Sequence, residues 1–482
     1  MDKAPTHAKP RRPRGVYWTH LTETRSKGGV LPKRMLETAQ KELKRGAHGA
    51  GAQARRGAGN ACASARVLVL SVLTSVLMGV AGWAFLAALD MATTTREAHV
   101  WLFALLPIVN VATAWLYRNH GLRAQRGNNL VIDSTITGTP IHVRMAPLTF
   151  LCSTATHLAG GSAGREGAAV QMGGTIASNV ASLFHVEGHD RRDLMMAGIS
   201  AAFGAAFGTP LAGAFFGMEM CFVGKIDYSA ALYCLTGSFV GNAVSRALGS
   251  HFVFQSIARV PAMDARTIAI VIAAAVVFGL VARLFTLCIR TVKRLYARLF
   301  TNYLVAAATG GIVIAVLFLC LGMAPYAGLS EWMVGAAFRG ETTLADPVAK
   351  LGMTALTVGA GLQGGEVTPL FGIGASLGGW IGQVTMGDPS LVAALGMVGV
   401  FGAALNVPIT TIMLGIDMFG AQAAGYFVIV GFVSYLVAGH AAVYPAQRIV
   451  TPKRRGLKDD AALTVEGALE RHRRELEELM DE

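Results

Sequence analysis

From residue 67 onward the chain alternates between long apolar runs and short polar breaks, and the lengths of those runs predict membrane-spanning helices. Residues 67–93 form one full span, because about 20 apolar residues cross the hydrocarbon of a bilayer. Trp101 to Tyr117 form a second, with an aromatic ring suited to each interface. Beyond them the runs shorten and are cut by Gly and Pro, near 146–160, 166–184, 194–207, 210–223 and 228–247. A second series follows near 267–290, 302–323, 346–362, 369–386, 390–405, 408–420 and 421–440. Most of these pieces are too short to cross alone, and broken helices at membrane depth are tolerated only where they are buried in protein or line a polar cavity. The pattern is that of a transporter or channel, and 57 glycines suit closely packed, interrupted helices.

Composition supports the membrane reading and narrows it. The 482 residues are 53% hydrophobic and 15% charged, with a mean hydropathy of +0.48. Much of the charge sits at the two ends. Residues 1–66 hold 15 of the 42 Lys and Arg, and residues 453–482 hold 9 of the 29 Asp and Glu. So little charge in the middle excludes a soluble enzyme, a disordered chain and a nucleic-acid-binding domain as readings of the main body. The net charge of +13 is mostly local, since residues flanking the first span, among them Arg11, Arg12, Arg14, Lys33, Arg34, Arg55 and Arg56, carry it. By the positive-inside rule these place the N-terminus in the cytoplasm. No short apolar segment with a small-residue cleavage site precedes Arg66, so no removable signal peptide is expected. The six cysteines lack paired spacing and read as packing residues.

An internal repeat sharpens the architecture. Phe203-Gly204-Ala205-Ala206-Phe207-Gly208-Thr209-Pro210 matches Phe401-Gly402-Ala403-Ala404-Leu405-Asn406-Val407-Pro408 at an offset of 198. An acid, Glu219 or Asp417, follows nine residues after each proline. At an offset of 200, Gly164-Arg165-Glu166-Gly167 lies opposite Gly364-Gly365-Glu366-Val367. Two homologous halves are expected, 67–250 and 251–450, between a basic extension (1–66) and a charged tail (451–482) in which Asp459 to Met480 form an amphipathic helix. Gly/Pro-broken segments at matching places in two halves point to a binding site near the bilayer midplane.

The few charges left in the middle are therefore the candidates for chemistry. Glu166 stands at the start of a helix reading from about Ala168, where free backbone N–H groups attract negative charge. Two readings stand: a capping acid paired with Arg165, or a tethered anion that a solute anion displaces once the glutamate is protonated. Glu366 occupies the matching break and is either a second proton station, with Thr368 offering a hydroxyl, or an acid that satisfies local backbone donors. Glu219 and Asp417 are read as structural. Tyr444 ends the last span, as an anion donor or as an interfacial aromatic. His157, His440, Arg126 and Asn128/Asn129 are further path-lining candidates. No metal spacing, nucleotide loop or nucleophile elbow occurs, so no metal, cofactor or enzymatic activity is expected, and transport must draw on an existing gradient.

Gly164-Arg165-Glu166-Gly167, followed by Val170-Gln171-Met172-Gly173-Gly174, resembles the CLC family of anion channels and anion/proton antiporters, across roughly residues 67–450. Phe207-Gly208-Thr209-Pro210-Leu211-Ala212-Gly213, Gly365-Glu366-Val367-Thr368-Pro369 and Tyr444 carry the resemblance further. It implies an all-α polytopic membrane fold of two inverted-topology repeats built from tilted and broken helices, a homodimer with one pore per subunit, Glu166 as gating glutamate and Tyr444 as anion ligand. It also implies an anion path formed by Gly127, Asn128, Gly164, Arg165, Gly167, Val367, Thr368 and Tyr444. Three departures stand out: Arg126-Gly127-Asn128-Asn129-Leu130 replaces the usual Gly-Ser-Gly-Ile-Pro loop, Glu366-Val367 replaces Ile-Phe, and the inner proton-transfer glutamate falls on Met220. These are similar to the fluoride/proton antiporter branch, in which a Gly-Gly-Glu-Val-Thr-Pro segment supplies a second functional glutamate and a threonine. The expected function is fluoride export in exchange for protons, in a bacterial inner membrane with both termini cytoplasmic and with no nucleic-acid partner. A chloride or nitrate transporter or channel, and a non-transporting sensor that recruits partners through its charged termini, remain the alternatives.

Overall fold

The computed structural model describes residues 33–121, 123–453 and 459–481, so the basic residues Arg11, Arg12 and Arg14 lie outside the described part. By internal contacts the chain divides into two compact units, Met1–Ala63 and Ser64–Glu482. The first half of the fold comprises α1 (Lys33–Ala98), α2 (Leu106–His120), α3 (Asn128–Thr137), α4 (Met145–Leu158), α5 (Glu166–Leu183), α6 (Gly188–Phe207), α7 (Pro210–Glu219), the short strand β1 (Phe222–Val223) and α8 (Ala231–Ala247). The second comprises α9 (Ala265–Leu299), α10 (Tyr303–Cys320), α11 (Trp332–Phe338), α12 (Ala345–Gly359), α13 (Val367–Met386), α14 (Ser390–Leu405), α15 (Pro408–Phe419), α16 (Ala424–Ala438), the strand β2 (Arg448–Ile449) and α17 (Val465–Asp481). Among the described residues, five helical segments are long and apolar enough to cross a membrane: Ala63–Ala98, Val100–His120, Ala265–Leu299, Tyr303–Cys320 and Ala421–Ala438. The remaining helices are shorter or less apolar, and α5, α6, α13 and α14 among them are mostly buried.

Helices that are apolar on every side belong in the interior, and α14 is buried along its whole length, as is α6 from Leu194 onward. Each of these crosses its neighbour at a glycine pair. Gly173 of α5 meets Gly198 of α6, and Gly374 of α13 meets Gly396 of α14; a Cβ at any of the four would overlap the facing backbone. Small residues at such crossings let helices pack closely in the absence of a hydrophobic driving force. Phe203 and Phe216 from the first half stack toward Phe401 from the second, and Phe371 closes the same aromatic centre.

The repeat is visible in backbone detail. Gly208 and Asn406 both take the left-handed conformation, with φ of 73° and 62°, and stop α6 and α14. Pro210 and Pro408 then begin α7 and α15, where the missing N–H costs nothing. These two helices cap one another. The Glu219 carboxylate at the end of α7 accepts from the N–H groups of Ile409 (3.1 Å) and Thr410 (2.8 Å) and from the Thr410 hydroxyl (2.7 Å) at the start of α15. Asp417 near the end of α15 accepts from the Ala212 N–H at the start of α7 (2.9 Å). Tail-to-head contact in both directions requires antiparallel helices, so the halves are inverted copies of each other.

The tail departs from its sequence expectation. A helix from Asp459 is not formed; α17 starts at Val465, with the Thr464 hydroxyl accepting from the Gly467 N–H (3.1 Å). Asp460 is instead buried as an anchor, paired with Arg471 (2.6 Å), His472 (3.2 Å) and His440 (3.0 Å). A solvated helix would have left that carboxylate in water. The start of the first membrane segment lies at this same end of the molecule. Arg66 donates to the Phe184 carbonyl, Leu70 packs on Val186 and Leu194, and the nearby Arg192–Asp227 pair leads to β1, which pairs with β2 beside the tail.

Candidate functional site

The two Gly-rich breaks meet at the centre of the protein. Gly164 and Gly365 form a reciprocal antiparallel pair, with the Gly164 N–H on the Gly365 carbonyl (2.5 Å) and the Gly365 N–H on the Gly164 carbonyl (2.6 Å). Neither glycine leaves room for a side chain, and Gly167 is equally constrained: a Cβ there would stand 2.8 Å from the Gly365 Cα and 3.0 Å from the Asn128 Nδ2. The expected offset of 200 needs correction. Arg165 and Glu366 are the residues with equivalent backbone, at φ −103°, ψ −26° and φ −94°, ψ −14°, each immediately ahead of its helix. Glu166 therefore corresponds to Val367. The helix also starts at Glu166, two residues earlier than its apolar run begins.

That one-residue difference sends the two acids to different places. Glu166, 1% exposed, is received by the opposite break: Thr368 donates its N–H (3.1 Å) and its hydroxyl (2.6 and 2.5 Å to the two oxygens). The Arg165 N–H (3.2 Å) and its Nε–H (3.3 Å) complete the socket. Arg165 also reaches Glu331 (3.3 Å). Two hollows open here, one of about 320 Å³ that touches Arg165, Glu166, Thr368, Phe207 and Phe371, and a wider one of about 930 Å³ toward the end of α1. Glu366 opens the other way. It lines a hollow of about 250 Å³ at the tail end together with Lys293, and its Oε2 is buried without a hydrogen-bond partner among the described residues.

Between the acids stand Asn128 and Tyr444. The Asn128 Nδ2 donates to the Tyr444 phenol oxygen (3.1 Å); both side chains are buried, and the phenol lies within electrostatic reach of both glutamates. Gly127 turns the chain into α3 with φ +54°, and a Cβ there would press on the Gln171 amide. The N-terminal ends of α3, α5 and α13 thus converge on one point, where the N–H groups of helix first turns favour an anion. Val367 is buried beside Thr368.

Other sequence candidates lie elsewhere. Arg126 pairs with Asp133 on the exposed side of α3. Both nitrogens of His157 face carbonyls, Ser153 (2.8 Å) and Ala163 (3.1 Å), so it braces the loop ahead of Glu166. The Asn129 side chain accepts from the Ala446 N–H (3.1 Å), and His440 belongs to the tail anchor. Sequence reasoning gave no role to Gln171, whose Oε1 accepts from Thr149 (3.1 Å) behind Gly127, and missed the wall around Glu366 contributed by α9 and α17. A buried amide five residues after Glu166 was the available signal for the first; the second depends on contacts between distant segments. Among the described residues no group of three or more His, Cys, Asp and Glu could hold a metal ion.

Comparison with known proteins bears on the same segments. Residues 109–439 match the family described as voltage gated chloride channel. A chloride/fluoride channel protein of Pseudomonas syringae pv. tomato is 37% identical over 392 residues, covering 80% of this chain and 87% of the relative. An H(+)/Cl(-) exchange transporter ClcA of Vibrio cholerae is 26% identical, over 73% of this chain and 81% of its own. The solved structure of a CLC-type fluoride/proton antiporter superposes with a TM-score of 0.77 at 34% identity, covering 80% of this chain and 98% of that one. A slow cyanobacterial Cl-/H+ antiporter, 20% identical with a TM-score of 0.67, has the same fold. With inverted halves, paired Gly-rich breaks and converging helix starts, the chain belongs to the CLC family, the voltage-gated chloride channel family, whose members move ions across membranes and are not enzymes.

Proposed function

We propose that this protein exports fluoride in exchange for protons, with Glu166 as the gating and proton-coupling glutamate and Glu366 as a second proton-transfer acid. The observation that carries this reading is the socket of Glu166: a carboxylate seated on two backbone N–H groups and the Thr368 hydroxyl. A small, strongly hydrated anion needs a comparable set of donors in place of its water. Once Glu166 is protonated it no longer competes for them, and the anion takes its seat. Gly127, Asn128, Gly164, Arg165, Gly167, Val367, Thr368 and Tyr444 line the path, and Glu366 receives the proton on the tail side. The likeness to a fluoride/proton antiporter at 34% identity supports the choice of ion, as does the chloride/fluoride name of the 37% relative.

The basic N-terminus and Arg290, Lys293, Arg294 and Arg298 at the tail end of α9 support an orientation with both termini in the cytoplasm. The bacterial inner membrane and a homodimer complete the reading. The test is a liposome flux assay with a fluoride electrode and a pH electrode. Fluoride efflux with proton influx is expected, and equal or greater chloride flux overturns the choice of ion. The similarity to chloride exchangers makes chloride the second reading, and no flux of any anion would leave a membrane sensor.

A further inference from the structure

The family match ends at residue 439, and beyond it the chain forms an element that the transport reading does not use. Asp460, with its three partners, ties α17 to the end of α16. So held, α17 lies along the tail-side mouth. The hollow that Glu366 lines is walled on one side by Arg290, Lys293 and Arg294 of α9 and on the other by Glu466, Glu470 and Arg473 of α17. Glu466 and Glu470 are also exposed to solvent.

We propose that α17 supplies the proton exit from Glu366: Glu466, with Glu470 one turn further along, takes the proton and delivers it to the cytoplasm. Three observations converge on this. The Glu366 Oε2 is buried with no hydrogen-bond partner among the described residues, yet its side chain borders a hollow large enough for water. The mouth is cationic on the α9 side, where Lys293 lies within electrostatic reach of Glu366 and Arg290 within reach of Glu466. Such a field gathers anions and repels free hydronium, so a proton leaving by this mouth needs fixed carboxylates along the wall. Glu219, which also lies toward the tail side, is engaged in capping α15. In the step itself the protonated Glu366 carboxyl gives its proton through intervening water to the Glu466 carboxylate, Glu366 becomes the anion, and Glu466 then releases the proton to bulk water.

This inference rests on the antiport reading, and the experiment separates the two. Full-length protein carrying Glu466→Gln and Glu470→Gln is reconstituted, and proton influx driven by a fluoride gradient is compared with wild type. Proton and fluoride fluxes are expected to fall together by about threefold, less than loss of the enclosed Glu366 would cause, because the mouth is open to water. Millimolar imidazole on the tail side restores them, and Glu466→Asp with Glu470 intact keeps most of the rate. An unchanged rate in the double variant, or a loss that imidazole does not relieve, overturns the assignment to α17 and leaves antiport standing. Wild type without fluoride-driven proton influx overturns the antiport reading and this inference with it.

Discussion

The breaks at Gly164–Gly167 and Gly364–Val367 share a backbone, are bonded to each other, and nevertheless treat their acids in opposite ways. Glu166 is the first residue of its helix, whereas Glu366 is the residue before its helix. One residue is about 100° around a helix. That step carries the Glu166 carboxylate into donors supplied by the other half, and it leaves Glu366 beside the tail-side hollow, its Oε2 near Gly167 and without a hydrogen-bond partner among the described residues. An inverted repeat by itself would give each mouth the same chemistry. The difference comes from where each half places its acid against the same turn, so one carboxylate sits in a donor-lined seat and the other borders the tail-side hollow.

The comparison breaks most completely at Glu166. Glu166→Gln keeps the shape but cannot shuttle a proton, and fluoride-driven proton influx in liposomes is expected to drop by about a hundredfold, the scale of a positioned acid. Thr368→Val removes the hydroxyl that one break lends the other and keeps the N–H. A hydrogen bond to a charged group is worth about 2 kcal/mol, so the fluoride concentration for half-maximal flux is expected to rise roughly thirtyfold, with Thr368→Ser near wild type. Glu366→Gln tests the other side: proton and fluoride fluxes are expected to slow together by about tenfold, with their ratio unchanged. Away from the breaks, the reciprocal caps offer a graded control. Glu219→Ala strands three donors and should cost about 2 kcal/mol, against about 1 kcal/mol for Asp417→Ala, read as the lowering of Tm in detergent.

The smallest effect concerns the tail. His440 donates from Nδ1 to Asp460 (3.0 Å) while its Nε2 accepts from the Lys453 N–H (3.2 Å), an arrangement that needs the neutral ring. Burial, and secondarily the charge of Lys453, hold its pKa below the ordinary 6.5. The unfolded tail therefore binds the extra proton more readily than the folded one. Stability from this contact is complete above about 6.5 and is lost as pH falls below it. Hydrogen-exchange protection of residues 465–475, taken relative to the intrinsic exchange rate at each pH, should fall as pH drops below about 6.5, and His440→Phe should remove that pH dependence.

Much of this was legible in the chain itself, and the exceptions have physical causes. The long spans, the broken segments and the paired prolines are local patterns of hydropathy and backbone restriction, and the structure follows them closely. The offset of 198 across Pro210 and Pro408 held because the proline and the left-handed residue before it fix the start of each helix. The offset of 200 across the glutamates did not hold, because glycine-rich turns carry little register information. Asp459 and Asp460 read as part of a solvated charged helix, since nothing nearby in sequence reveals that His440 and Arg471 converge on one carboxylate.

The sequence by itself determined the membrane class, the two halves, the family and the identity of the acids, because apolar run length, Gly/Pro punctuation and short motifs are properties of neighbouring residues. Only the tertiary structure decided which donors receive Glu166, that Glu366 borders the opposite hollow, that Glu219 and Asp417 cap each other's helices, and that α17 walls that hollow. Each of these is a contact between segments some hundred or more residues apart, made by folding one inverted copy against the other and by docking the tail beneath them.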